Sequence, residues 1–372
     1  MHSGNHPLTR IRRLSCIASI LCIVSPIRTS WAAEPEFSRW AIGVVSDYRL
    51  FSLRPGDVWQ KSATVDLRSK WNPDIFRKNQ QKQKQPGVFP SLRLLDASAD
   101  GGRFVVNLWG EEYRDPGPLV IVDAATGTST ATVDVSDENA TAAYLPGALR
   151  LLVHWIDHIS AQGGPRTAIF DATNGARLAD TVPYQPAGPQ LCFLNGRSKL
   201  IYGRSSAERY GLLDTASWKD LGALPVPSDL TVLDARESTL LLEGIQGDRN
   251  ILAWDYTRPA ADLAKIDHEP FTSGLSSVYV LAGSGDRIVK LTPFSDGTVA
   301  VLNRSDGKQL ARVVLGKVVL AYAPHPSGTF LALLVDSDLV VLDVADGRVI
   351  SRSARVLPQS AKEPFLFWYR PR

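Results

Sequence analysis

From residue 37 to residue 370 the chain is a succession of short apolar runs separated by turn-forming clusters, the pattern of many short β-strands. The runs repeat. An apolar strand ending in Asp and followed four residues later by Gly occurs at residues 119–123 with Gly127, 167–171 with Gly175, and 339–343 with Gly347. Residues 299–303 with Gly307 carry Asn in place of Asp, while 210–214 and 251–255 keep the strand and lose the glycine. The anchors Asp123, Asp171, Asp214, Asp255, Asn303 and Asp343 recur about every 44 residues.

The punctuation has a physical reason. An Asp or Asn at a strand end bonds its own backbone two residues on, and Gly supplies the positive φ of the following turn. These aspartates are therefore read as turn formers, not ligands. Upstream of the anchors lies a second turn signal, at residues 99–102, 146–147, 195–196, 285–286 and 326–328. Each period thus holds four short antiparallel strands, the unit of a propeller blade.

The chain ends complete the count. Residues 48–52 with Gly56 copy the anchor once more, giving seven, but only one strand, residues 40–45, precedes them. The β-prone run 365–369 at the other end has no partner left in sequence. Pairing it with 40–45 closes the first blade from both termini and removes two free edges. The expectation is an all-β, seven-bladed β-propeller closed by N- and C-terminal strands in one blade.

With Trp254-Asp255 and the repeated strand, Asp, turn, Gly pattern, the chain resembles the WD-repeat and YVTN-type propeller superfamily over residues 37–370. Secreted bacterial propellers with degenerate repeats are the closer likeness. Such propellers include partner-binding scaffolds, lactonase-like enzymes and non-catalytic heavy chains of periplasmic dehydrogenases.

Residues 1–32 stand apart from this pattern. Arg10, Arg12 and Arg13 precede an apolar run from Leu14 to Val24, then Pro26 and Ser30-Trp31-Ala32, which together read as a signal peptide cleaved after Ala32. The run spans only about 16 Å as a helix, roughly half a bilayer core, so no membrane insertion of the mature chain is expected. Arg12-Arg13 also admits twin-arginine export, and Sec and Tat routes both stay open. Residues 33–372 form the propeller domain, and the location is expected to be periplasmic or secreted.

Composition then matters in two places. At 44% hydrophobic and 21% charged the chain is globular, which excludes a disordered or collagen-like protein. Removing 1–32 takes away four arginines and no acidic residue, so the net charge falls from +3 to −1. The basic balance belongs to the export signal, and no nucleic-acid partner follows from it. Cys192 alone remains of the three cysteines, so no internal disulfide can form, and its apolar flanks predict a buried, inert thiol.

In a propeller the loops joining second to third strands share one face with the connections between blades. Here the long ones are 110–117 and 156–165, with 204–209 and 244–250 intermediate and 336–338 minimal. A polar, basic insertion at 66–90 emerges on the same face between blades one and two. Decoration therefore clusters over blades one to four, and the candidate binding residues are Trp71, Glu111, Glu112, Tyr113, Arg114, Asp157, His158 and Arg209.

Candidate chemistry is sparse. His154 and His158, with Asp157 between them, are the only metal candidates, and the strand that would align them is read as ending near Trp155. The innermost strands carry Ser91, Arg93, Thr141, Gln190, Thr231, Ser277 and Tyr279, too few oxygen ligands for a calcium site. His325 in its Pro-rich turn and Gly283-Ser284-Gly285 are read as structural. The sequence has no haem-attachment, phosphate-loop or dinucleotide motif, and no cofactor is expected. The expected role is a platform for a protein partner; the alternatives are a lactonase- or lyase-like enzyme with a central-channel site, or a non-catalytic dehydrogenase subunit.

Overall fold

The computed structural model describes residues 39–55, 59–72, 75, 91–109, 118–135, 140–147, 149–157, 164–180, 185–186, 191–204, 210–227, 229–244, 248–270, 277–292, 296–358 and 363–371. All its strands belong to one compact unit, Glu36–Arg372. They form seven antiparallel sheets, each a blade. The innermost strands of blades two to seven are Ser91–Ala97, Thr141–Tyr144, Cys192–Leu194, Leu230–Arg236, Val278–Ala282 and Val319–Pro324. The seventh innermost strand, in blade one, is Phe365–Tyr369.

That strand closes the ring. Phe365–Tyr369 pairs antiparallel with Ala41–Ser46, Val45 opposite Phe365 and Ala41 opposite Tyr369. Around the axis it also neighbours Val319–Pro324 on one side and Ser91–Ala97 on the other.

The inner strands of each blade are covered on both faces because the blade is packed between two others, while outer strands such as Gln60–Asp66 and Arg177–Asp180 stay exposed. The core accordingly divides into seven clusters, one per blade interface. Strand alternation sorts the side chains: Leu366 and Trp368 face blade seven, whereas Phe365, Phe367 and Tyr369 face blade two. A strand with both faces covered reads as a continuous apolar run, which is why 365–369 contains no polar position.

The anchors end their strands as expected, at Asp123, Asp171, Asp214, Asp255, Asn303 and Asp343. Asp123 accepts hydrogen bonds from the N–H groups of Ala125 (3.1 Å) and Thr126 (2.9 Å), and Asp214 from Ala216 (3.1 Å) and Ser217 (2.7 Å). Gly175 and Gly307 have φ of +76° and +66°, as the turn requires. They also meet a second demand. A Cβ on either would collide with a carbonyl oxygen of the preceding blade's outer strand, that of Thr132 or Ile266. Blade four lacks the glycine, and Trp218 takes the left-handed conformation there at φ +57°.

Three expectations need correction. In blade one the strand runs Arg49–Arg54, so Ser52 lies within it, paired with Ala63, instead of ending it. Pairing with Gln60–Asp66 carries the strand past the expected anchor. In blade four the innermost position is shared by two segments, Gln185–Pro186 and Cys192–Leu194, both paired with Lys199–Gly203. The segment 66–90 does not begin as a polar loop: Asp66 ends a strand, and Leu67, Trp71 and Ile75 are buried against blade two. Burying these three apolar side chains outweighs the polar composition around them.

Candidate functional site

Of the loop-face residues named from sequence, Glu111, Glu112, Tyr113, Arg114, His158 and Arg209 lie outside the described residues. Trp71 is 3% exposed, its indole N–H bonded to the Gly127 carbonyl at 3.1 Å and its ring edge-on to Tyr48. It serves the interface between blades one and two. Asp157 is half-buried and 3.6 Å from Arg166. The strand carrying it runs Arg150–Asp157, two residues past the expected end at Trp155, because it pairs with Gly164–Asp171 over its whole length. His154 is buried, with Nδ1 3.0 Å from the Thr167 hydroxyl across that pair. Among the described residues no three His, Cys, Asp or Glu side chains gather where they could hold a metal ion.

Two other arrangements hold the ionisable chemistry of the described ring. The first lies at the loop-face end of blades five and six. Arg249, at the start of the strand Arg249–Asp255, is held between Glu243 and Glu269, and its guanidinium donates to the Ser277 carbonyl at 2.6 Å. Lys290 of blade six bridges Asp267 (2.6 Å) and Glu269 (3.0 Å), while the Tyr279 hydroxyl donates to Asp267 at 2.7 Å. The Tyr279 ring carries Arg249 and Lys290 at 5.3 and 5.6 Å from its centroid.

Burial alone would raise Glu269, but hydrogen bonds from Ser277 and Lys290 and the Lys290 charge outweigh it and hold the carboxyl at about 2. Burial opposes the Lys290 charge, and its bonds to Asp267 and Glu269 raise it instead. Neither Glu269 nor Lys290 is poised to exchange a proton near neutrality. The network can present charge and lock two blades together.

The second arrangement is axial. Asp96 and Asp234 stand at matching bulges on the innermost strands of blades two and five, where pairing shifts after Leu94 and after Val232. Each accepts the backbone N–H of the next blade's innermost strand at 2.8 Å, Tyr144 for Asp96 and Leu281 for Asp234. Arg197, in the first turn of blade four with φ +69°, reaches across blade three to hold both Asp96 oxygens and the Tyr144 carbonyl (2.8 Å). Among the described residues Asp234 has no such partner. Burial raises it to about 6, only partly offset by N–H donors of Leu281 and Ala235 and by the charge of Arg236.

Neither arrangement was found from sequence. The axial pair had a signal, since both aspartates stand in the tripeptide Leu-Asp-Ala, at 95–97 and 233–235. The blade five and six network had none, because its charges come from four strands. Cys192 is buried as expected, its thiol raised by burial and then by the Asp234 charge. His325 is 2% exposed, edge-on to Trp40 and Trp368 at 4.9 and 4.7 Å, and burial, with Arg236 and Arg370 nearby, lowers it to about 4.

No protein-family model and no curated protein sequence matches the chain. Solved structures do. A prolyl endopeptidase matches at TM-score 0.50 and 14% identity over 86% of this chain and 50% of that one. The Cps50 (Swd1) β-propeller domain of Myceliophteria thermophila matches at 0.46 and 13% over 75% and 88%, and BamB of Moraxella catarrhalis at 0.41 and 16% over 82% and 85%. Likeness at this level speaks to fold alone. The chain is a seven-bladed β-propeller.

Proposed function

We propose that the chain is an exported, rigid platform that binds a protein partner through the face carrying the second-to-third-strand loops. The observation that carries this reading is the ring itself. The first and last described strands, Ala41–Ser46 and Phe365–Tyr369, are paired in one blade and all seven interfaces are packed, so the ends of the strands are fixed in space. Loop length on that face then varies at no cost to the core, from the two residues 47–48 in blade one and 336–337 in blade seven to the long 110–117 in blade two. The blade five and six network supports the same face with paired charges, suited to recognition.

The test expresses the chain with residues 1–32 in a Gram-negative host, beside a variant with 110–117 replaced by a two-residue turn. Cleavage after Ala32, recovery outside the cytoplasm, and a crosslinked partner lost in the variant at unchanged melting temperature are expected. An uncleaved cytoplasmic chain, or an identical crosslinking pattern for both proteins, overturns the reading.

A further inference from the structure

Asp234 is held at the axis in the same manner as Asp96, with one component missing. Asp96 bonds its neighbour's N–H and is neutralised by a two-pronged guanidinium. Asp234 makes the same N–H bond, yet among the described residues no cation comes within ion-pair distance of it. The nearest, Arg236, is turned aside and donates to the Pro326 carbonyl at 2.7 Å. Nor can the matching turn of blade seven supply one: a Cβ at Gly328 would already meet Gly283 and the Arg236 guanidinium.

The opposite wall is open. On the innermost strand of blade seven, Leu320 is 44% and Tyr322 36% exposed. An innermost strand is flanked by the blades on either side and by its own second strand, so such exposure faces the axial channel. Asp234, on the innermost strand of blade five, is half-buried. The first turns of blades five and seven meet there, since the Arg236 guanidinium bonds the Pro326 carbonyl and lies close to Gly328; burial, and then the charge of Asp234, raises Tyr322 and Cys192.

We propose that Asp234 anchors a ligand site in the axial channel that takes a guanidinium or ammonium group, with Tyr322 and Leu320 as its apolar wall. The ligand's cation stands where Arg197 stands for Asp96, forming charge-assisted hydrogen bonds to the carboxylate and lying against the tyrosine ring. The site is independent of the loop face, so either reading can fail alone. The chemistry fits a small free amine and the basic side chain of a peptide alike, and the probes separate them.

Isothermal titration of the mature protein with agmatine and, separately, with acetyl-Gly-Arg-Gly-amide tests it. Saturable binding of at least one probe is expected; agmatine alone identifies a small amine, the peptide a side chain entering the channel. Asp234→Asn keeps an acceptor for the Leu281 N–H and is expected to weaken binding at least tenfold, about the worth of a charged partner. Tyr322→Ala weakens it several-fold and carries the test should Asp234→Asn fail to melt cooperatively. Asp306→Asn, in the outer turn of blade six, changes nothing. Binding also falls on lowering the pH from about 7.5 to about 5, as Asp234 takes up its proton. The charged and titratable groups around it are Arg236 and Glu237 on its own turn, Cys192 and Tyr322; burial raises the last two away from that window. No saturable binding of either probe, or equal binding by Asp234→Asn, overturns the proposal.

Discussion

Asp96 and Asp234 occupy the same place in two blades, make the same bond to the next blade, and differ in one neighbour. With Arg197 across from it, Asp96 ties blades two, three and four into one unit. Without such a partner, Asp234 joins only blades five and six and carries a charge that its surroundings disfavour. The repeat thus dictates where a carboxylate goes, and the sequence of a distant turn dictates what it does there. A structural latch and a candidate ligand anchor are separated by a single guanidinium.

Removing that guanidinium should have the largest effect. Arg197→Ala leaves Asp96 without its counter-ion and is expected to destabilise the ring by about 3 kcal/mol, read from urea unfolding. A loss under a few tenths of that would mean the two carboxylates were equivalent after all.

Next come the carboxylates themselves. Near pH 7.5, Asp96→Asn should cost about 2 kcal/mol, while Asp234→Asn should be neutral or stabilising, since it removes a disfavoured charge and keeps an acceptor. Equal losses in the two variants would erase the distinction.

The pH dependence sharpens it further. The folded ring binds the Asp234 proton more tightly than the unfolded chain, so this contribution is complete below the ordinary carboxyl value of 3.8 and is lost as pH rises through about 6. The stability of wild type relative to Asp234→Asn should therefore fall by about 2 kcal/mol between those limits. Glu269 should show the opposite sign with a smaller effect. Its folded value lies below its ordinary 4.5, so its contribution is present above 4.5 and lost as pH falls through about 2. Glu269→Gln should cost about 1 kcal/mol near neutrality, with the loss fading in acid. Melting temperature against pH for the three proteins measures both slopes.

Much of the ring was legible because its signals are local. An Asp that caps its own turn, a Gly at positive φ and an apolar run each reveal themselves within five residues, and their recurrence located blades two to seven. Blade one blurred the rule, since its strand extends through Ser52 to Arg54. Trp71 misled for a related reason. Amid the polar composition of 66–90 it resembled a surface aromatic, and only its bond to Gly127 of the next blade shows that it is core.

The sequence by itself determined the number of blades, the strand that closes them and the buried state of Cys192, because alternation and turn chemistry act between near neighbours. The tertiary structure alone decided which charges meet. Asp96 and Arg197 are 101 residues apart, and Arg236, next but one to Asp234, meets Pro326 of blade seven only through the closing of the ring. It also gave the turn glycines their second duty, as the point where one blade's turn presses on the backbone of another. Contacts between blades depend on a curvature to which every repeat contributes, and no single segment encodes it.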